Sequence, residues 1–579
     1  MLKLFNYMKK SLFLLPAVLM FMVGCDEDKL EIPQKGVVAY ETFYKDDADC
    51  EAAINKVYID TQKNFAFMPN INGYNYGPYF GVTNYQSDDI YLSGSGASDA
   101  VPEREFHDFR YGTDNVVVTG AYTAFYRSIH KCNLVINNFT AEKVGTLTQT
   151  MKRAVAEARV MRAFDHLLLA IYWGTPPIVT EVLTGDAQPE NAASQDAVLD
   201  FVTSEIDLAL PDLEERKNVN DAAGSYKITK GFALGVKGKA LLWKKDYNGV
   251  KTVLKQVINS GKYSLNPDFS QLLHYPGRGS CESVFEFNIV DNADMNADEL
   301  QNRTNCNSQH TFSWRTEYFF GMKDSLVLGS NGWGWINPTG EFAKALIAND
   351  GMNSARRKAS IVTYDELTTD PKWRSTFYEI ETDTSHKAMG YKIGDLLVGL
   401  RAGKIYHACE GYFNYKNCVH PAQGDVQPGK NNRKLMNLPV MRYAEILLMY
   451  AEACARTNDN DGLQYLQAIQ NRAGSAHVSQ TLTLDEVKNE KRFELYMEGC
   501  RSADLIRWGD TQSLKVQDYN VPSFVSDDKG NVKVDNSEAD YYKKNYGTKL
   551  GFKDGKDELL PFPLDVTNLN QGITQNPGC

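Results

Sequence analysis

RYAEILLMYAEACARTNDNDGLQYLQAIQNRAG (442–474) and TLDEVKNEKRFELYMEGCRSADLIRW (483–508) are the stretches that decide the fold. Tyr443, Ile446, Leu447, Tyr450, Ala451 and Cys454 recur at helical spacing, so one face of the first segment is apolar and has to be covered. NDNDG (458–462) stops that helix, and Leu463, Leu466, Ile469 and Ala473 begin a second apolar face. A turn this short lays the two helices antiparallel, as a helical hairpin. Thr483 and Glu486 predict a capping box, in which hydroxyl and carboxylate satisfy orphan backbone N–H groups. The third helix carries Glu490, Arg492, Glu494, Glu498 and Arg501, charges placed to pair along one side.

The same pattern repeats upstream. Helices are expected over 41–62, with Ala53, Val57 and Tyr58 on the apolar side, over 121–139 through Phe125 and Ile129, and over 151–173. Gly174-Thr175-Pro176-Pro177 ends the last of these, because proline cannot continue the ladder. Residues 196–213, 229–245 and 247–260 make three more. Four tetratricopeptide-like hairpins result, pairing Ala53 with Ile129, Ala158 with Ile206, Ala240 with Val253 and Ala451 with Ile469. The fold class is therefore mainly α, tetratricopeptide-like helical hairpins forming a right-handed scaffold with a long irregular, loop-rich face. Residues 70–91, rich in Gly, Asn and Tyr, carry neither periodicity and are expected as loop. Between 269 and 438 the helical pattern breaks, with helix expected only at 341–349 and 374–381. Loops of such length inside a compact domain are usually functional. The tail from Tyr519 is read as mostly loop.

At 23% charged and 43% hydrophobic residues the chain has the composition of a folded protein. A net charge of −11 without clustered Lys and Arg argues against nucleic acid as a partner. Ten cysteines show no CxxC and no Cys/His spacing suited to zinc, and most are expected as buried thiols. HExxH, GxSxG, Walker and GxGxxG motifs are absent, so no catalytic residues are assigned. Lys3, Lys9 and Lys10 before the apolar run 12–23 make a secretory signal, too short to span a bilayer. It ends in Met22-Val23-Gly24-Cys25, similar to a bacterial lipobox, which makes Cys25 the lipidated first residue. The chain divides into a signal peptide (1–24), a lipid-anchored tether (25–40) and one domain (41–579). That domain comprises an N-terminal helical part (41–268), a loop-rich insertion (269–438) and a C-terminal helical part with tail (439–579).

Four motifs in order resemble the SusD/RagB family of outer-membrane nutrient-uptake lipoproteins. EARVMRAFDH (157–166) with YWGTPP (172–177) resembles its "EAR-x-x-RA … YG-x-x-P". Arg442-Tyr443-Ala444-Glu445 with Ala451-Glu452-Ala453 resembles "RYAE … AEA", and residues 490–508 resemble "ER-x-x-EL-x-x-EG-x-R-x-x-DL-x-R". Leu560-Pro561-Phe562-Pro563 and Gln575-Asn576-Pro577-Gly578 resemble the closing "P-x-P … QNPG". Lys491 and the terminal Cys579 depart from the pattern. The resemblance implies a SusD-like lipoprotein held at the outer membrane by Cys25 and exposed on the cell surface. It would lie as a lid on a SusC-type TonB-dependent barrel and pass captured oligosaccharides, or peptides in the RagB branch, to that barrel. Asp26-Glu27-Asp28 after the cysteine marks inner-membrane retention in enteric bacteria and export where lipoproteins reach the surface; the family implies export.

Arg159, Arg162, Glu494 and Arg501, although in the motifs, are expected to hold helices together through buried ion pairs. A glycan presents apolar C–H faces to aromatic planes and hydroxyls to Asn, Asp, Gln and Arg. Asn331, Trp333 and Trp335 form one such candidate group, Trp314, Arg315 and Tyr318 a second, and Tyr74, Tyr76 and Tyr79 a third. Either Trp333 or Trp335 could instead plug a core beneath its loop. Asp291, Asp294 and Asp298, with Glu299, have the oxygens to ligate calcium, though a solvated acidic loop is the plainer reading; no other cofactor is implied. Asp459 and Asp461 before Gly462 read as a turn. A peptide-binding lid and a tetratricopeptide-like interaction scaffold without a small ligand are the alternatives to a glycan-binding one.

Overall fold

The structure, a computed structural model, describes residues 43–65, 77–92, 96, 99–289, 334–374, 399–401, 403–427, 433–515, 521–537, 544 and 550–579. Its frame is a row of helices: α1 (Asp47–Phe65), α2 (Pro78–Asn84), α3 (Val101–His107), α4 (Val116–Asn138), α5 (Gln149–Trp173), α6 (Gln195–Ala209), α7 (Lys230–Trp243) and α8 (Tyr247–Asn259). Side-chain caps start several of them: Asn115 accepts from the Val117 N–H and Thr148 from the Met151 N–H. The pairs α1–α4, α5–α6 and α7–α8 pack as the periodicity predicts, and α4–α5 and α6–α7 contacts join them into one stack. Gly238 lies where α7 crosses α8; a Cβ there would meet Leu254 Cδ2 at 2.3 Å, so only the smallest residue permits this approach.

The C-terminal spine adds α12 (Tyr443–Arg456) and α13 (Leu463–Ala473), the fourth hairpin, with α12 packed on α8. Residues of α12 are buried from Tyr443 through Cys454, all round rather than on one face, because α13 and α14 (Leu484–Glu494) also pack on it. The expected third helix is broken in two. After α14 the chain turns left-handed at Met497 (φ 58°) and Gly499 (φ 83°) and resumes as α15 (Arg501–Trp508). The break places the Gly499 N–H 2.9 Å from Asn84 Oδ1, a bond a continuous helix would forgo. The capping box is half made. Thr483 accepts from the Glu486 N–H, while the Glu486 carboxylate goes instead to Ser479 Oγ and His477 Nε2, both at 2.8 Å.

Between these halves the chain holds more order than its sequence suggests. Strands β1 (Ile90–Leu92) and β3 (Ile336–Pro338) pair antiparallel, Tyr91 opposite Asn337. β2 (Ser283–Phe287) pairs with β7 (Leu438–Arg442), which runs directly into α12. Helices α9 (Gly340–Asp350), α10 (Ala355–Ser360) and α11 (Tyr364–Thr369) follow β3, and the last two were not expected. β4 (Ile361–Thr363) pairs with β6 (Tyr412–Asn414), and β5 (Ile405–His407) joins β8 (Ser523–Ser526) and β9 (Val532–Asp535) from the tail. These strands enclose a small second core of Val362, Leu367, Trp373, Tyr406, Phe413 and Phe524, separate from the main helical one.

Two of the sequence signatures meet across the fold. Trp173 at the end of α5 donates its Nε1–H to Pro561 O at 2.9 Å. The Asn576 side-chain amide donates to both Trp173 O and Leu560 O, while Gln575 clasps the Phe562 backbone at 2.7 and 2.8 Å. The closing motif thus seals the end of the longest helix. Residues of 1–42, including Cys25, lie outside the described part, and no described helix is long and apolar enough to cross a membrane. No disulfide joins any two of the eight described cysteines, and five of them are buried.

Candidate functional site

The acidic side of α14 and its neighbours form a buried charge network. Arg356 on α10 meets Asp350 at 2.7 Å, Glu494 at 3.3 Å and Glu490. Arg442 meets Glu494 at 3.2 Å, Glu498 at 2.6 Å and Glu282, while Arg472 of α13 contacts Glu282 at 2.6 Å and Glu494. Lys416 adds Glu498 at 2.6 Å. Four cations thus face five carboxylates in the interior; burial pushes the Glu490 carboxyl upward, the direction that evens the count. The charges of 490–501 therefore pair across elements, not along one helix. Arg159 and Arg162 of α5 likewise share Glu205 of α6, at 2.8 and 2.5 Å. These motif residues hold helices together, as the sequence suggests.

Two arginines of the same motif reach outward. Arg492 grips Asp89 at 2.6 Å, and Arg501 grips Asp88 in a fork of 2.7 and 2.8 Å. Burial opposes ionisation of Asp88, but the hydrogen bonds and charge of Arg501 hold its carboxyl below the usual range. Asp88 and Asp89 lead into β1, so α14 and α15 fix its position. The Asp89 carbonyl accepts from the Thr339 N–H at 2.9 Å, locking β3 beside it. The ladder β1–β3 pairs the end of the stretch 70–91, expected as loop, with residues 336–338, which follow the Asn331, Trp333 and Trp335 group.

Beside this ladder lies a cavity of about 220 Å³ lined by Gln86, Asp88, Tyr91, His107, Asp108 and Glu341, among others. Tyr91 is half-buried, with its hydroxyl 3.4 Å from Glu410 Oε1. Asp108 is 1% exposed; its Oδ2 accepts from Arg110 at 3.0 Å, and its Oδ1 has no hydrogen-bond partner among the described residues. A buried acceptor without a donor costs about 1–3 kcal/mol, and because the Asp108 side chain is wholly shielded this oxygen faces protein and not the opening. His107 bonds the Tyr85 carbonyl at 2.5 Å through Nδ1, and burial lowers its pKa, so it is a neutral wall at pH 7. The aromatic ring of Tyr91 and the largely exposed Glu341 carboxylate around one opening have the chemistry to meet a polyhydroxylated ring.

Of the candidate residues read from the sequence, two fall within the described part. Trp335 is 5% exposed and belongs to the main core, which corrects its assignment as a ligand-facing ring. Tyr79 sits on helix α2 rather than in a loop, half-buried and stacked on Phe65 at 4.0 Å, against a cavity of about 80 Å³, too small for a sugar. Tyr74, Tyr76, Trp314, Arg315, Tyr318, Asn331 and Trp333 lie outside the described residues, as do the calcium candidates Asp291, Asp294 and Asp298. Tyr91 escaped the sequence reading, although the short apolar run Ile90-Tyr91-Leu92 after two acids was a signal for it.

One described group has metal-ligand chemistry: His274, His420 and Asp425, all buried, with ligand atoms within 4.8 Å of one another. Asp425 is already occupied. It accepts from His274 Nδ1 and from the backbone N–H groups of Tyr275 and His420, each at 2.8 Å. The two imidazoles stack face to face at 4.1 Å, so their in-plane lone pairs run side by side and do not converge. The cluster works as a clasp between two loops.

Comparison with known proteins agrees with this architecture. Residues 281–578 match the SusD family. A SusD-like protein of Bacteroides ovatus is 21% identical over 618 aligned residues, covering 99% of this chain and 97% of that protein. The starch-binding protein SusD of Bacteroides thetaiotaomicron is 29% identical over 165 residues, 28% of this chain and 24% of its own length. Surface glycan-binding protein A from the same organism, solved in complex with laminarihexaose, superposes with a TM-score of 0.68 at 19% identity, over 91% of this chain and 99% of its own. A laminarin-binding SusD-like protein gives 0.65 at 20% identity, over 93% and 100%. With the family match spanning more than half the sequence and the same helical architecture along nearly all of it, the chain belongs to the SusD family.

Proposed function

We propose that this chain is a lipoprotein, anchored at Cys25 on the cell surface, that binds oligosaccharides at the cavity beside β1–β3. It releases them intact to a SusC-type TonB-dependent barrel. The observation that carries the binding site is the half-buried Tyr91 ring beside the largely exposed Glu341 carboxylate in the wall of one cavity. Glycan-binding relatives of the same fold support the ligand class. Relatives of the same fold that bind glycans support binding without bond cleavage.

The test uses the mature chain from residue 25 with Cys25→Ala, so that it stays in solution. Titrating it with a panel of oligosaccharides that includes laminarihexaose, and with peptides, identifies the ligand class, and product analysis looks for cleavage. Loss of a half-buried ring–sugar contact of about 1 kcal/mol makes Tyr91→Ala roughly fivefold weaker for any glycan bound. Binding of peptides alone, cleavage of the glycan, or unchanged affinity in Tyr91→Ala would each overturn the assignment.

A further inference from the structure

A larger cavity, of about 620 Å³, opens between the C-terminal end of α1, the first half of α4 and the tail residues Val566–Ile573. Its volume is in the range of sites that take a whole small molecule. The polar groups in its wall are largely spent within the fold. Tyr126 donates its hydroxyl hydrogen to Pro177 O at 2.8 Å, and its ring lies 4.8 Å from that of Tyr122. Asn64 donates to Ala124 O at 3.2 Å; Asn570 donates to Pro189 O at 2.7 Å and accepts from the Gly572 N–H at 2.9 Å. What remains toward the space is aromatic and aliphatic surface, ending at Leu183, which is 45% exposed.

The opening is cationic. Arg127, His130 and Lys131 stand on one face of α4, at positions i, i+3 and i+4, and all three line the cavity. Arg127 and Lys131 make no ion pair or hydrogen bond among the described residues, in a chain whose other lysines and arginines commonly meet a carboxylate. Asp60, the acidic residue in the lining, is engaged by Lys56 at 3.0 Å and Lys63 at 3.3 Å. Burial and the neighbouring Lys131 hold His130 below its ordinary range, leaving the charge to Arg127 and Lys131. An apolar body with a negative head matches both features. A neutral oligosaccharide does not, since its hydroxyls would lose water and find few open partners.

We propose that this cavity is a second ligand site, which takes an amphipathic organic anion, with its apolar body against Tyr122 and Tyr126 and its carboxylate or sulfonate against Arg127 and Lys131. It is independent of the glycan site.

The test uses the mature chain with Cys25→Ala and two probes, the aromatic sulfonate 1-anilinonaphthalene-8-sulfonate, followed by fluorescence, and decanoate as its competitor. One sulfonate per chain should bind, decanoate should displace it, and laminarihexaose should not. Arg127→Glu with Lys131→Glu, and separately Leu183→Asp, should each weaken binding at least tenfold; Arg127 and Leu183 are exposed and Lys131 is partly exposed at the helix surface, so the fold tolerates the changes. Equal binding in all three proteins, or displacement by laminarihexaose, overturns the proposal. So does binding that appears only after residues 26–42 are removed, which would make the chain's own acidic tether the occupant.

Discussion

Glu494→Gln removes one negative charge from the interior without changing the shape of the side chain. In the native protein this carboxylate is fully buried between Arg442, Arg472 and Arg356. Burial alone would raise its pKa; Arg472, Arg442, Arg356 and Lys416 together hold it at about 2, against an ordinary 4.5. At about 1.4 kcal/mol per unit that shift corresponds to roughly 3 kcal/mol of stability at neutral pH. The cost of breaking a buried ion pair from one side, about 3–5 kcal/mol, is of the same size. At about 2.1 cal/mol/K per residue, a chain this long unfolds with an entropy near 1.2 kcal/mol/K, so the melting temperature should fall by about 2.5–4 °C. Differential scanning calorimetry of parent and variant measures this, alongside a titration with whichever glycan the parent binds. A melting temperature within 1 °C of the parent, or a large loss of affinity at an unchanged melting temperature, would refute the view that this motif carboxylate is structural.

Three further outcomes follow from the same geometry. The folded pKa of Glu494 lies below its unfolded value, so its contribution is complete above pH 4.5 and disappears as pH falls toward 2; urea midpoints should drop through that window in the parent and less steeply in Glu494→Gln. Trp335→Ala should lower the melting temperature by about 3–4 °C, the cost of emptying a buried aromatic site, with little change in glycan affinity at the β1–β3 cavity; a stable variant that no longer binds would return this ring to the ligand face. Arg501→Lys keeps the charge but loses the two-pronged grip on Asp88, so it should lower the melting temperature by only about 1–2 °C while weakening the glycan titration several-fold; equal affinity would detach the site from α15.

The helical hairpins were legible because their information is local. Ala53, Ala158, Ala240 and Ala451 repeat a period that each segment carries by itself, and the structure pairs all four as that period demands. What the sequence hid depends on partners far along the chain. Glu486 has a suitable capping position, yet Ser479 and His477 take its carboxylate. The helix from Leu484 should run to Trp508 by propensity, yet it breaks where Asn84, more than 400 residues earlier, takes the Gly499 N–H. Trp335 and Trp333 share one composition, and only the packing beneath β3 assigned the first of them to the core.

The same contrast explains why the binding residues are the hardest to read. Residues 490–501 announce themselves because a dense set of charges at helical spacing has few uses, and burying them against Arg356, Arg442 and Arg472 is one. Tyr91 carries no such pattern: it is one ring in a three-residue apolar run, and its place in the proposed site comes from a cavity built by segments far apart in the chain. Yet the two are mechanically joined. Arg492 and Arg501 extend the buried network to Asp89 and Asp88, and those two residues set the position of β1 and hence of Tyr91. A signature that is structural in its interior therefore reaches the proposed ligand face through two salt bridges.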